Sequence, residues 1–188
     1  MPSTDAERWN ARYQQASTPR AIEPHELVAL QLSEIGEGRR VLDVACGLGD
    51  AGLSLAKEGC DVTFVDVSEV ALDAVARRAE AESLTVETLL LDLANEPLPD
   101  GPWDIIVCVH YLDRALLARF GSHLATGGVA VIAIATSTNL ERHERPSARF
   151  LLDADELPSL LPDLHAVRHD EEWRSNGSHE AWLVATTR

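Results

Sequence analysis

The spacing of apolar positions changes as the chain runs. Val41-Leu42-Asp43-Val44 is a short apolar run that reads as a strand, and it passes directly into Cys46-Gly47-Leu48-Gly49-Asp50-Ala51-Gly52. Small residues then continue at helical spacing as far as Gly59, a helix stop. Asp61 to Asp66 predicts a second strand, and Ser68 stands where it would cap a helix bearing Val70, Ala71, Ala74, Val75 and Ala79 on one face. Val86 to Leu91 predicts a third strand ending at Asp92. The prolines of the segment Asn95 to Pro102 exclude a helix, so the connection to the next strand lacks the usual crossover helix. Ile105 to Val109 is apolar at consecutive positions, the mark of a central strand covered on both faces.

Beyond this point the pattern predicts a helix over 114–124, a stop at Gly127-Gly128 and a fifth strand over 129–134. The stretch 136–149 is polar and irregular, and a short helix is expected over 154–161. Two extended runs, 166–173 and 181–186, flank Asn176-Gly177, a hairpin signal that makes the end of the sheet antiparallel. Two amphipathic helices, over 5–14 and 25–35, precede the first strand and are candidates for a lid. The alternation of strands and helices over 188 residues fits one α/β domain. We divide it into residues 1–38 (N-terminal helices), 39–135 (ligand-binding core) and 136–188 (an acceptor-side loop, a helix and the hairpin).

Composition narrows the function. With 45% apolar and 25% charged residues the chain has the balance of a water-soluble globular protein. No apolar run approaches the ~20 residues of a membrane span, and the polar start lacks the apolar stretch of a secretory signal, so a cytoplasmic protein is expected. The net charge is −15, and residues 41–135 hold 15 Asp+Glu against 5 Lys+Arg. A polyanion is repelled by such a surface, so neither nucleic acid nor an acidic membrane is an expected partner, whereas a cationic ligand is favoured. Cys46, Cys60 and Cys108 fit neither a disulfide framework nor zinc-ligand spacing, and no metal is expected.

Gly47, Gly49 and Gly52 form G-x-G-x-x-G between a strand and a helix, where backbone N–H groups can approach a ligand at a positive helix end. Asp66 ends the second strand, 17 residues after Gly49, where a carboxylate can accept both hydroxyl hydrogens of a ribose. An adenosine-containing ligand follows from the pair. Asp43 separates the two common ones, because a carboxylate four residues before the first glycine suits a sulfonium and an ammonium better than a pyrophosphate. Asp92 repeats the pattern at the end of the third strand, in reach of an adenine amino group. S-Adenosylmethionine is therefore favoured over NAD, with an NAD-linked oxidoreductase and a non-catalytic adenosyl-binding module as the competing readings.

The segment Val41-Leu42-Asp43-Val44-Ala45-Cys46-Gly47-Leu48-Gly49 resembles the first motif of the class I S-adenosylmethionine-dependent methyltransferases. Asp66, the pair Asp92-Leu93, Trp103-Asp104-Ile105-Ile106-Val107 and Leu124-Ala125-Thr126-Gly127-Gly128 match further motifs of that family, and together they cover residues 39–135. Trp9-Asn10-Ala11-Arg12-Tyr13, His110-Tyr111-Leu112-Asp113-Arg114 and Arg149-Phe150-Leu151-Leu152 look like the small bacterial branch that includes tellurite-resistance methyltransferases. The resemblance implies a three-layer, Rossmann-like fold with a mostly parallel seven-stranded sheet whose last strand is antiparallel. It implies a cofactor pocket made by Asp43, Ala45, Gly47, Gly49, Asp66, Val67, Asp92, Leu93 and Val109, with S-adenosylhomocysteine as product and a small-molecule acceptor over strands four and five.

Trp9, Arg12 and Tyr13 share a helix face and either close over the cofactor or pack on the sheet edge. His110, with Tyr111 and Arg149, is the candidate acceptor-side group, since imidazole titrates near neutrality. Arg142, His143, Arg145 and Arg149 add positive charge beside the expected acceptor site. They make an anionic, soft acceptor such as a thiolate or a reduced chalcogen one reading, although the same charges also balance Glu141 and Glu144.

Overall fold

A computed structural model of the protein describes residues 4–16, 21–32 and 36–187. Seven strands form one sheet: β1 (Arg40–Val44), β2 (Asp61–Asp66), β3 (Glu87–Leu90), β4 (Trp103–Val109), β5 (Leu124–Ala135), β6 (His165–Trp173) and β7 (His179–Thr186). Their spatial order is β3-β2-β1-β4-β5-β7-β6. Strands β1 to β5 pair in parallel, and β7 runs antiparallel to both β5 and β6. The order reverses between β1 and β4, and at such a switch point the strand ends of an α/β sheet leave a crevice for a ligand.

Helices cover both faces. On one face α2 (Glu26–Gln31), α3 (Asp50–Lys57) and α4 (Glu69–Ala81) bury Leu27, Leu53 and Val75 against Val41, Phe64, Val107 and Trp182. On the other, α5 (Arg114–Leu117) and α6 (Phe120–His123) bury Leu116, Leu117 and Phe120 against Leu42, Ile106, Ile132 and Leu183. Each large apolar side chain so buried contributes about 1.5–3 kcal/mol, and these two layers supply the rigid platform for the strand ends. Helix α1 (Thr4–Ala16) stands apart from both layers and meets the N-terminal end of α4.

Several boundaries differ from the sequence reading. The helix expected over 114–124 is broken into α5 and α6, and Gly127-Gly128 lies inside β5 rather than before it. A register shift between Trp103 and Ile105 absorbs the two glycines. Gly128 is required there, because a Cβ would lie 2.8 Å from the Ala125 carbonyl oxygen and 3.0 Å from that of Trp103. The helix expected over 154–161 is only a 3-10 turn, Leu157–Leu160, with Pro158 in its first turn. Helix α2 is short, and residues 33–35 of the expected 25–35 helix lie outside the described residues. As expected, no helix separates β3 from β4.

Candidate active site

The cofactor side is built at the carboxyl ends of β1 and β2. Past β1 the chain turns through left-handed backbone at Ala45, Gly47 and Gly49, with φ of 52°, 54° and 75°, and enters α3. Asp43, 2% exposed, accepts the Gly52 N–H at 2.9 Å and so ties β1 to the first turn of α3. Asp66, 5% exposed, accepts the Gly47 N–H at 2.8 Å through one oxygen and the Ser68 N–H at 2.9 Å through the other. A carboxylate can accept about four hydrogen bonds, so two acceptor directions remain for the hydroxyls of a ribose. Arg78 of α4 secures the turn from outside: its guanidinium donates to the Leu48 carbonyl, to Asp50 at 2.6 Å and to the Ala21 carbonyl at 3.2 Å. No sequence motif marked Arg78, since an arginine on a helix is ordinarily a solvated residue.

The three glycines serve different ends. A Cβ at Gly49 would sit 2.7 Å from Val75 Cγ2, and one at Gly52 would sit 2.4 Å from the Phe64 ring and 2.7 Å from Asp43 Oδ2. These two are required by the packing of α3 and α4 on β2. Gly47 is the glycine that faces the cleft, where its nearest neighbour is the hydroxyl of Tyr13, 2.7 Å from the position of a Cβ.

Tyr13 reaches that point because α1 is fastened over the strand ends. Asn10 Oδ1 accepts the Ser68 hydroxyl at 2.6 Å, while Ser68 Oγ caps α4 by accepting the Ala71 N–H at 3.2 Å. Trp9 stacks on Tyr13 with ring centroids 5.6 Å apart, and Arg12 lies over the Trp9 ring at 5.3 Å. Farther along, Arg8 lies over Phe150 at 5.9 Å, and so does Arg149 at 4.3 Å, so α1 reaches from the β2 end to the acceptor-side segment. Of the other residues expected here, Val67 follows the end of β2 and Val109 closes β4. Leu93 is buried, and Asp92 spends its oxygens on the Ala94 N–H at 3.2 Å and the Asn95 amide at 3.0 Å.

Burial sets the charges in this pocket. It pushes the Asp43 carboxyl up to about 7 against the opposing effect of the Gly52 N–H, with Asp66 and Asp50 adding to the rise. Asp66 is raised for the same reason, and the N–H groups of Gly47 and Ser68 oppose the rise. Burial, together with the two acids, pushes the Cys46 thiol well up, and Tyr13 is likewise raised by burial and by Asp66. Cys46 is thus held as a neutral thiol and Tyr13 as a neutral phenol. Asp43, the most deeply buried acid of the cluster, would respond most to a cation brought in by a ligand.

On the acceptor side the structure assembles a group that sequence reasoning found only in part. His110 follows β4 with φ 59°, an unfavourable backbone for a bulky residue, held by its N–H to the Ala133 carbonyl at 2.7 Å. Its ring Nε2 lies 3.1 Å from Oε1 of Glu180, a residue with no exposed surface. Glu180 also meets His25 Nε2 at 2.8 Å, the Trp182 indole N–H at 2.8 Å and the Asn176 amide at 3.3 Å. Burial alone would raise this carboxyl, but bonds from His110, His25 and Trp182 hold it far below the usual carboxylate range. The Arg174 guanidinium covers the Trp182 ring at 3.4 Å. No sequence motif marked Glu180, which lies just before the extended run expected over 181–186.

The other expected acceptor-side residues are used differently. Tyr111 packs against the apolar layer beside α5, and burial raises its phenol. Asp113 caps α5 by accepting the Leu116 N–H at 2.9 Å. In the 136–149 loop the Arg142 guanidinium lies 3.8 Å over Trp173 of the hairpin. Although no metal-ligand spacing occurs in the sequence, folding brings together two sets of potential ligands among the described residues, His25/His110/Glu180 and Asp155/His169/Glu171. In the first set the contacts are of hydrogen-bond length. The Nδ1 of His25 accepts the Leu27 N–H at 3.2 Å, so its Nε2 carries the ring proton and donates to Glu180.

The fold and the glycine–acid edge define a class I methyltransferase architecture. Residues 41–128 match the family model described as a methyltransferase domain. The chain is 30% identical over 151 residues to the ubiquinone biosynthesis O-methyltransferase of Alkalilimnicola ehrlichii, an alignment that takes in 73% of this chain and 59% of that protein. It is 34% identical over 93 residues to the protein of that description in Coxiella burnetii, covering 50% and 40%. The chain thus spans little more than half the length of these curated relatives, or less. Among solved structures, TehB from Haemophilus influenzae superposes with a TM-score of 0.76 at 22% identity, over 96% of this chain and 67% of that one. Magnesium protoporphyrin IX methyltransferase from Synechocystis, solved with bound S-adenosylhomocysteine, superposes with a TM-score of 0.77 at 16% identity, over 98% of each chain. These two likenesses are of fold. Residues 41–128 thus form a methyltransferase domain within a fold shared with S-adenosylmethionine-dependent methyltransferases.

The residues present fit that cofactor. Asp66 is placed for ribose hydroxyls, Gly47 leaves the turn bare beneath Tyr13, and the buried Asp43 favours a cationic amino-acid moiety over a phosphate.

Proposed function

We propose that the protein transfers a methyl group from S-adenosylmethionine to a small-molecule acceptor bound over β4, β5 and β7. The observation that carries this reading is the joint position of Asp66, Gly47 and Tyr13 at the β1–β2 edge, with His110 at the end of β4. When bound, the cofactor supplies an electrophilic methyl group on a sulfonium. The chain's own residues orient and enclose: Asp66 holds a ribose, Asp92 and Leu93 take the adenine side, and Trp9, Arg12 and Tyr13 of α1 roof the pocket. Most of the rate enhancement in such a displacement comes from aligning the acceptor with the methyl carbon, which strand-end residues on a rigid sheet do well.

A soft anionic acceptor is supported by the arginines of the 136–149 loop, although Arg142 lies on Trp173 and Arg149 on Phe150. An oxygen acceptor is supported by the relatives described as O-methyltransferases and by His110. The strong negative charge argues against nucleic acid in either case. Binding of S-adenosylhomocysteine tests the cofactor half of the proposal. Asp66→Ala should weaken it by about 1.5–3 kcal/mol, the range for hydrogen bonds to a charged group. Equal affinity of the two proteins by calorimetry would reject Asp66 as the ribose ligand.

A further inference from the structure

We infer that Glu180 and His25 form a buried relay that sets His110 as a general base, so that the acceptor is a protic O–H or N–H nucleophile rather than a preformed thiolate or chalcogen anion. The inference rests on the methyltransferase reading above and adds to it the chemical class of the acceptor.

The argument is one of proton positions. Glu180 is fully buried, and each of its oxygens has two partners: Oε2 faces His25 Nε2 and Trp182 Nε1 at 2.8 Å each, and Oε1 faces His110 Nε2 at 3.1 Å and Asn176 Nδ2 at 3.3 Å. The indole and the amide nitrogens only donate. His25 also donates, because its Nδ1 accepts from the Leu27 N–H. With three donors aimed at it, Glu180 is an ionised acceptor, and His110 is the fourth donor through Nε2–H. A neutral His110 then carries its lone pair on Nδ1, to which no described residue bonds, on a side chain that is 51% exposed. A proton taken up at Nδ1 creates an imidazolium next to a carboxylate that is already ionised and desolvated, so the charge is stabilised without rearrangement.

The groups around the relay come from every neighbouring element. His25 precedes α2, His110 ends β4, and Asn176 and Trp182 belong to the hairpin, whose Arg174 also approaches the Glu180 carbonyl at 3.5 Å. Glu180 touches no reacting atom and is a positioning residue. The left-handed backbone of His110 is the cost of presenting its ring to Glu180 across β5.

In the reaction the acceptor's O–H or N–H proton passes to His110 Nδ1 as a lone pair of that oxygen or nitrogen forms the bond to the methyl carbon. The carbon–sulfur bond breaks with its electron pair going to sulfur, which leaves a neutral thioether, and His110 returns the proton to water. A thiolate has no proton to give and would need neither residue.

Two measurements test this. Side-chain nitrogen NMR of the ligand-free wild-type protein should place the proton of neutral His110 on Nε2, and Glu180→Gln should shift His110 toward the other tautomer. Methyl transfer is then measured with catechol and with an aliphatic thiol as probes. His110→Ala should lower kcat for catechol by about 10²–10⁴-fold and Glu180→Gln by about tenfold or more, with KM little changed and a much smaller loss of rate for the thiol. Below the catechol pKa the residual rate of both variants should rise about tenfold per pH unit, since only the ionised acceptor then reacts. A wild-type proton on Nδ1, or a catechol rate in His110→Ala equal to wild type, overturns the relay. If Glu180→Gln does not fold, or neither probe is methylated, the wild-type tautomer decides. S-Adenosylhomocysteine affinity, which neither variant should change, reports separately on the methyltransferase reading.

Discussion

The amide oxygen of Asn10 accepts the hydroxyl hydrogen of Ser68 at 2.6 Å and the Val70 N–H at 3.4 Å, and these bonds join α1 to the start of α4 just beyond Asp66. Ser68 uses the same oxygen to cap α4 at the Ala71 N–H, so the cap of α4 and the tie to α1 share an atom. Asn10→Ala leaves the cap intact and cuts the tie. The variant should lose no more than about 1 kcal/mol of global stability. Amide exchange along α1 should accelerate, and S-adenosylhomocysteine should bind severalfold more weakly. Unchanged exchange in α1 would show that Trp9 and Tyr13 hold the roof without Asn10.

The buried Asp43 gives cofactor binding a pH signature. Burial raises its carboxyl from 3.8 to about 7 in the folded chain. A group raised on folding contributes its stability fully below the unfolded value and loses it as pH climbs through the folded one. Between about pH 4 and 7 the native state therefore gives up on the order of 4 kcal/mol through this residue. A cationic ligand at the turn reverses the rise and expels the proton. Calorimetry near pH 6.5, in buffers of different ionisation enthalpy, should show roughly half a proton or more released on binding. Asp43→Asn keeps an acceptor for the Gly52 N–H and should abolish the release. A release that survives in that variant would point to another group.

Gly47 and Gly49 should separate affinity from stability. Alanine at Gly49 places a Cβ 2.7 Å from Val75 Cγ2 on left-handed backbone, and that methyl cannot move without disturbing α4. Overpacking of this kind costs about 1–3 kcal/mol and should appear in thermal unfolding. At Gly47 the neighbour is the end of the Tyr13 side chain, which can swing away. Gly47→Ala should therefore unfold close to wild type, apart from ~1 kcal/mol of backbone strain, and lose most of its cofactor affinity. The reverse pattern would mean that the ligand lies against α3.

How much of this was legible in the chain follows from how local each feature is. The strand ends at Asp43 and Asp66 and the helix cap at Ser68 rest on contacts within about twenty residues, and their spacing announced them. The 114–124 helix was misjudged because Gly127-Gly128 reads as a stop, whereas pairing with β4 drew the chain into β5 at Leu124. Glu180 was missed for the opposite reason. Its partners His25 and His110 lie 155 and 70 residues away, and nothing local tells a buried, satisfied carboxylate from a solvated one. The cluster exists only because β7 enters the sheet beside β5.

Arg78 offers the sharpest test of the turn itself, because a single guanidinium serves three acceptors on three segments: Leu48, Asp50 and Ala21. Its flat fork spans them as no ammonium can, so Arg78→Lys is not a conservative change here. Lysine keeps the charge near Asp50 but cannot also satisfy the Leu48 carbonyl, which sits between Gly47 and Gly49. The peptide between those glycines should then lose its fixed orientation, and with it the Gly47 N–H that steadies Asp66. The expected result is a loss of about 1.5–3 kcal/mol in S-adenosylhomocysteine affinity, the range for a charge-assisted bond, with Arg78→Met weaker still. Both variants should keep the far-ultraviolet circular dichroism of the wild type, since α4 retains its cap at Ser68 and its buried face of Ala71, Leu72 and Val75. If Arg78→Lys binds as tightly as the wild type, the turn is held by Asp43 and Asp66 alone, and the clamp from α4 adds nothing to the cofactor site.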